Sequence, residues 1–307
     1  MPRIVSIGEC MVEMAPLDAP QTFRMGFAGD TLNTAWYLRQ LLSEDWVVGF
    51  ATAVGTDAVS DRMLGFLAAA GLDTDHVARS IDATVGLYLI ELRDGERSFS
   101  YWRGQSAARR MADNPEWIDA VLRDAGLAYL SGITLAILPE AGRQNLLAAL
   151  ARYRLAGGRV AFDPNLRPRL WPSAQVMMAS VMQAASVADI ALPSFEDEAA
   201  WFGDTDPAAT AARYAGAGAA LTVVKNGPAP ILLRQGAASL WATPDPVATV
   251  VDTTAAGDSF NAGFLAAWLA GKGPEAAARL GATLAGRVIG GRGALVEGAA
   301  TGLRPGG

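Results

Sequence analysis

The chain is poor in the side chains on which much enzyme chemistry rests. One cysteine, Cys10, and one histidine, His76, stand among 307 residues. A single cysteine excludes an intrachain disulfide and a cysteine-based zinc site. A single histidine leaves no multi-histidine metal site and speaks against a histidine-based triad. Lysine is almost as scarce, since only Lys225 and Lys272 among the 25 basic residues are lysines. Catalysis must then rest on carboxylates, arginines, a lysine or two and backbone dipoles. No basic run offsets the 31 acidic residues, and the net charge of −6 argues against duplex nucleic acid as a partner. Long apolar runs are missing too. The longest, Leu127 to Leu138, is broken by Ser131, Gly132 and Thr134 and is too short to span a bilayer. Glu9 and Glu13 fall where a signal peptide needs an apolar stretch. A cytoplasmic setting without a membrane is expected.

What the chain does have is core-forming material: 51% hydrophobic and 18% charged residues, enough to exclude global disorder. Arg3 to Ile7 reads as a buried strand, Thr31 to Leu42 as a helix, Val47 to Val54 as the next strand, and Asp61 to Ala70 as a helix stopped by Gly71. From about residue 115 helices (115–124, 139–156, 173–185, 195–202, 207–217, 258–270, 274–290) alternate with strands (127–131, 159–163, 188–192, 220–225, 230–234). That rhythm predicts a mostly parallel sheet covered by helices. Two stretches break it: residues 10–28, with Pro16 and Pro20, and Thr84 to Trp102, with Asp94-Gly95 as a hairpin turn. They are expected to pair into a small sheet beside the main one. The Gly-rich tail after 301 is expected to fray.

Five segments carry candidate chemistry. Asp252-Thr253-Thr254-Ala255-Ala256-Gly257-Asp258 follows the strand-like Ala248 to Val251 and opens a helix. Small residues there let a ligand approach the backbone, and free N–H groups at a helix start make an anion site. Asp258 is then either a base taking a proton from an attacking hydroxyl or the helix cap. Lys225-Asn226-Gly227 ends a strand where open α/β sheets bind nucleotides, or is an ordinary turn. In Asp163-Pro164-Asn165-Leu166-Arg167, Asn165 can meet a phosphate or its metal water, and Arg167 is either an anion ligand or a surface ion pair. Gly29, Asp30 and Asn33 lead into the first helix, where Asp30 and Asn33 share a face suited to vicinal hydroxyls unless Asp30 only caps. Tyr88 and the Tyr101-Trp102-Arg103 run offer aromatic rings and a guanidinium from a hairpin, or merely a solvent-facing edge.

Taken together, Gly29-Asp30-x-x-Asn33, Asp163-Pro164-Asn165-x-Arg167, Lys225-Asn226-Gly227 and above all Asp252-Thr253-Thr254-Ala255-Ala256-Gly257-Asp258-Ser259-Phe260 resemble the ribokinase-like (PfkB) carbohydrate kinases. Gly8-Glu9-Cys10-Met11-Val12-Glu13 and Tyr101-Trp102-Arg103-Gly104-Gln105-Ser106-Ala107-Ala108-Arg109 are similar to the 2-keto-3-deoxygluconate kinases among them. The resemblance runs from about residue 3 to 297. It implies one domain over 1–307, a three-layer α/β/α sandwich with a β-sheet lid from about 10–28 and 84–110, phosphate drawn from MgATP, and a homodimer through the lid. Carried over, Asp258 deprotonates the 6-hydroxyl, and Ala255, Ala256 and Gly257 supply N–H groups to the transferring phosphoryl. Asn165, Ser194, Lys225 and Gly227 lie along the nucleotide. Gly29, Asp30, Asn33, Tyr88, Tyr101, Arg103 and Arg167 hold the sugar acid, with the arginines on its carboxylate. Asp252 matches a position near a monovalent-cation loop of some relatives.

Two departures stand out. The family's Gly-Ala-Gly-Asp reads Ala255-Ala256-Gly257-Asp258, which costs little if φ at 255 is negative and more if it is positive. The family's Asn-x-x-Glu, tied to metal and phosphate, reads Ser194-Phe195-Glu196-Asp197, with Glu196 and Glu198 as substitute acids. The competing readings are a kinase for a neutral sugar or a nucleoside, and a non-catalytic sensor on the same fold, which would have no use for a base at 258. A nicotinamide dehydrogenase lacks its Gly-x-Gly-x-x-Gly turn after the first strand.

Overall fold

The structure is a computed structural model, and it describes residues 1–19, 21–93 and 96–306. Pro20 and the Asp94-Gly95 turn lie outside the described residues, as does Gly307. The elements run β1 (Arg3–Ile7), β2 (Met11–Pro16), β3 (Phe23–Ala28), α1 (Asp30–Leu41), β4 (Val47–Gly55), α2 (Ala58–Ala69), β5 (Val77–Ser80), β6 (Gly86–Arg93) and β7 (Glu96–Trp102). There follow α3 (Pro115–Arg123), β8 (Leu127–Ser131), α4 (Gly132–Ile137), α5 (Glu140–Leu155), β9 (Arg159–Asp163), α6 (Ala174–Ser186), β10 (Ile190–Ala191), α7 (Phe195–Phe202) and α8 (Pro207–Ala217). The chain closes with β11 (Leu221–Val224), β12 (Ile231–Gln235), β13 (Ala238–Ala242), α9 (Ala256–Leu269) and α10 (Pro274–Ile289).

Nine strands form one sheet in the order β13-β12-β11-β10-β9-β8-β1-β4-β5. It is parallel from β11 to β5, and only the β11–β12 and β12–β13 pairings are antiparallel. Its strands are apolar on both faces, as a sheet covered on both sides requires. The alternation within a strand then decides which layer each side chain joins. Ile4, Leu127 and Tyr129 enter one core cluster with residues of α1, α9 and α10, while Val5, Ala128 and Leu130 enter another with residues of α3, α5 and α6. The three-layer α/β/α expectation holds. The two off-rhythm segments also pair as expected, into a second sheet of order β3-β2-β6-β7 with a parallel β2–β6 junction.

Several details differ from the sequence reading. The strand expected at Ala248 to Val251 does not form; the N–H of Val251 instead donates to the carbonyl of Ile289 (2.8 Å), beyond the reach of the sheet. β5, α4 and β13 were not legible: β5 and β13 are short edge elements, and α4 follows directly from Ser131, whose side chain accepts from the Thr134 N–H. The tail does not fray through Arg304. Arg287 donates to the carbonyl of Thr301 (2.7 Å), and Arg304 Nε to that of Gln40 (3.3 Å). No helix among the described residues is long and apolar enough to cross a membrane.

The parallel order changes direction at β1: β4 and β5 lie to one side of it, β8 to β11 to the other. Loops leaving the carboxyl ends of strands at such a point diverge and leave a crevice. Glu9 follows β1, Asp163 ends β9 and Lys225 follows β11, so the sheet delivers all three to one edge.

Candidate active site

The start of α9 is the centre of the site. Its N-cap is Ala255, in the left-handed region at φ 60, ψ 17, and no side chain caps the helix. Asp258 therefore does not cap. It sits in the first turn, and its Oδ2 accepts a hydrogen bond from Asn33 Nδ2 (2.8 Å). Ala255 meets the costlier of the two cases set by its sequence: a left-handed alanine is strained by about 1–2 kcal/mol. Within the same turn the N–H of Ala256 is already engaged by the Thr253 carbonyl (3.2 Å), and that of Ser259 by Ala255 (2.9 Å). Among the described residues the N–H groups of Gly257 and Asp258 make no such bond, so of this turn's backbone donors these two are left to meet an anion.

Asp258 keeps part of its surface open to solvent, yet its carboxyl is crowded by protein. Burial pushes its pKa up to about 8. The charge of Asp30 adds to the rise, the Asn33 bond opposes it, Asp163 raises it further and Lys225 lowers it. Asp30, in the first turn of α1, takes the N–H of Thr31 on Oδ1 and the amide of Asn165 on Oδ2 (both 2.8 Å). The helix start before it is tight: Gly29 abuts the carbonyl of Glu9, which a Cβ would approach to 2.2 Å. The Gly29 N–H points to Asn33 Oδ1 (3.4 Å). Gly29, Asp30, Asn33 and Asp258 thus form one wall, with Asn165 on Asp30 rather than on the nucleotide edge expected for it.

Ser194, Lys225 and Gly227, the other residues expected along the nucleotide, lie together at the strand ends. Ser194 and Lys225 are bridged through their neighbours: the Phe195 N–H donates to Lys225 and the Lys225 N–H to Pro193 (both 2.8 Å). Gly227 has φ 55, and a Cβ built on it would meet nothing, so the backbone there faces open space. The Lys225 ammonium reaches back to α9, 3.5 Å from where a Cβ on Gly257 would stand.

The sugar-side residues of the small sheet are more committed than their motif implies. Tyr88 is buried, and its hydroxyl donates in a short bond to Glu13; burial, then the Glu13 charge, pushes the phenol pKa far up. Arg103 is paired in a short contact with Glu9, which is 2% exposed and also accepts from the Ser106 hydroxyl. Burial raises the Glu9 pKa and Arg103 opposes the rise. Arg103 keeps Nε buried without a partner. Tyr101, 53% exposed, stacks its ring near Tyr88 (5.9 Å) and Phe99 (6.2 Å). Met11, Tyr88 and Ala255 share one apolar cluster, which joins this region to the start of α9. Arg167 turns elsewhere: its guanidinium donates to the Leu166 carbonyl (2.6 Å) and lies 3.7 Å from Asp197.

One expectation about metal ligands changes. Glu198 is no substitute acid, because it is fully buried between Arg213 (2.7 Å) and the Tyr214 hydroxyl (2.9 Å). Burial lifts its pKa to about 7 against the pull of Arg213. Asp252 is buried, accepting from the N–H of Thr254 (3.1 Å) and of Gly293 (2.6 Å). Among the described residues no three His, Cys, Asp or Glu side chains gather as a metal cage. The sequence reading also passed over Asp163, Asn261 and Tyr129. Asp163 sits inside a quoted motif and Asn261 directly follows one, but Tyr129 is one more apolar-looking strand residue and had no signal.

Residues 1–297 match the family model described as pfkB family carbohydrate kinase. The chain belongs to the pfkB carbohydrate kinases. Two relatives named 2-dehydro-3-deoxygluconokinase are similar over nearly their whole length. The protein of Haemophilus influenzae is 38% identical over 97% of this chain and 96% of its own. That of Escherichia coli K12 is 40% identical over 96% of this chain and 97% of its own. Among solved structures, the fructokinase of Xylella fastidiosa with bound ATP superposes with a TM-score of 0.81 at 26% identity, covering 95% of this chain and 93% of that one.

Proposed function

We propose that this pfkB kinase transfers phosphate from ATP to the 6-hydroxyl of 2-keto-3-deoxygluconate. The observation that carries the chemistry is Asp258: a carboxyl held by Asn33, beside bare N–H groups at a helix start, with a pKa lifted towards neutrality. A base so placed takes the proton from a hydroxyl as it attacks, while Gly257 and Asp258 N–H groups and the Lys225 ammonium meet charge on the transferring phosphoryl. The substrate assignment is supported by the names of the relatives at 38–40% identity and by Arg103, whose spare buried Nε suits an anionic sugar.

Nucleotide phosphates fit the edge formed by Ser194, Lys225, Gly227 and Gly257, where bare backbone faces open space. Mg2+ bound with the nucleotide neutralises phosphate charge and keeps several waters, so it needs no protein cage. In the same segment as Ser194, the charges of Asp163 and Lys225 both act on Asp197. Asp252 is the candidate beside a monovalent cation, and turnover compared in potassium and tetramethylammonium salts tests it. In this reading residues 1–307 work as one domain, and the small sheet, from about 10–28 and 84–110, closes as a lid that excludes water. Its outer strands are β3 and β7, and β7 exposes Phe99, Tyr101 and Trp102. A homodimer through that edge follows; sedimentation as monomer alone at micromolar protein would refute it.

The test of function is ADP release with MgATP against 2-keto-3-deoxygluconate, its galacto epimer, gluconate, fructose and ribose. Turnover confined to the keto-deoxy acids is expected. Turnover of fructose or ribose instead would keep the mechanism and overturn the substrate.

A further inference from the structure

Asp163 has no assigned role in the proposed transfer, yet it is 3% exposed and accepts three hydrogen bonds. Its two oxygens serve two sides. Oδ1 accepts the N–H of Asn165 (3.1 Å), folding the loop back so that Asn165, at φ 36, presents its amide to Asp30 Oδ2 (2.8 Å). Oδ2 accepts Lys225 Nζ (2.9 Å) and Asn261 Nδ2 (2.6 Å). Asn261 Oδ1 takes a second bond from Lys225 Nζ (3.2 Å), and its Nδ2 also reaches the Tyr129 hydroxyl (3.0 Å). Tyr129 is joined in turn to Thr34 (3.3 Å), which donates to the Asp258 carbonyl (3.1 Å). The ammonium is thus held from β9 and α9 at once, and what remains of it faces Gly257.

We propose that Asp163 is a positioning residue: it fixes the Lys225 ammonium at the start of α9 and, through Asn165, ties that cation to Asp30 on the sugar side. The proposal rests on the kinase reading for its catalytic consequence but not for its geometry. A lysine is a point charge on a flexible stem. Where charge develops on a phosphoryl group, such a cation helps most when it is already in place. Two buried acceptors, one of them charged, supply that placement. The loop strain at Asn165 is what the connection to Asp30 requires: a left-handed asparagine is tolerated because its neighbour's carboxylate takes its N–H.

The scarcity of lysine makes the test direct. Protein labelled with 15N at lysine Nζ gives two side-chain signals, those of Lys225 and Lys272, and Lys272→Arg assigns them. Lys272 is exposed, so its ammonium is expected to exchange fast, and that of Lys225 slowly. In Asp163→Asn, which keeps the acceptor for Asn165, the Lys225 signal alone is expected to move towards the Lys272 position and broaden. With MgATP and sugar, kcat of this variant is expected to fall about 10- to 100-fold, as for other lost supporting contacts. Adding Lys225→Met is expected to cost less than about threefold more, because coupled residues are not additive. An unmoved Lys225 signal, or losses that multiply, would overturn the proposal. Should Asp163→Asn fail to fold, Asn261→Ala removes the other acceptor and is expected to shift the same signal; no shift there overturns it equally. The spectrum needs no substrate, so a chain inactive on keto-deoxy acids refutes the functional reading while the Lys225 signal still decides this one.

Discussion

Two groups of acids, one at the start of α9 and one at the small sheet, are built in opposite ways. At the start of α9, Asn165 joins Asp30 to Asp163, Asp163 also takes Lys225 and Asn261, and Asp258 takes Asn33 beside them. At the small sheet each acid has its own partners: Glu9 takes Arg103 and Ser106, and Glu13 takes Tyr88. In the first group the charges of Asp30, Asp163 and Lys225 all act on Asp258. In the second, pairs can be broken singly. The first arrangement suits tuning a base, and the second suits gripping a ligand from a movable element.

The comparison can be broken most severely at Asp258. Asp258→Asn is expected to cut kcat about 1,000-fold, the scale of a lost general base, with sugar binding by calorimetry retained. Its stability should also lose a pH dependence. A carboxyl raised from 3.8 to about 8 on folding stabilises most below pH 4, and that contribution is lost as pH rises to 8. Glu198, raised to about 7, acts in the same direction in both proteins. Urea melts at pH 5 and pH 8 should therefore show a smaller fall for the variant than for the parent; equal falls would remove the argument for a shifted Asp258.

Next in size is Glu9→Gln, which leaves Arg103 without its buried counter-charge. Removing one partner of such a pair costs about 3 kcal/mol, read as a lower Tm. Because the pair is private, KM for the sugar acid should rise about tenfold while KM for ATP stays within about twofold. A rise in both would show that the two groups are not separate.

Asp30→Asn sharpens the network side. Asp30 is the leading charge raising Asp258, so the acid limb of kcat/KM, expected near pH 8 in the parent, should move to lower pH. A limb that stays put would mean that burial alone sets it. The smallest effect is expected at Ala255→Gly, which relieves the left-handed alanine. A gain of about 0.5–1 kcal/mol is expected in urea melts, with turnover nearly unchanged; a loss would show that the methyl in the cluster of Met11 and Tyr88 outweighs the strain.

Much of the architecture was readable in order along the chain. Continuous apolar strands alternating with helices gave the covered parallel sheet, and the two interruptions gave the small one. Gly71 stopped α2 as expected, with φ 75. The elements that escaped were those without a local pattern of their own. β5 and β13 sit at the two edges of the sheet, where only one neighbour and half a core specify them. Arg167 read as either an anion ligand or a surface ion pair, and the sequence could not show that Asp197, thirty positions on, would lie beside its guanidinium.

The sequence by itself determined the inventory: which chemistry was excluded by one cysteine and one histidine, where helices and strands alternate, and which segments carry acids beside small residues. Those properties depend on residue type and on neighbours a few positions away. Only the tertiary structure decided the partners. Asn33 meets Asp258, Asn165 meets Asp30, Asp163 meets Lys225 and Arg103 meets Glu9, because the carboxyl ends of separate strands converge where the sheet order turns. Hydrogen bonds and charge coupling fall off within a few ångströms. What an acid does here is set by which side chains the fold brings that close.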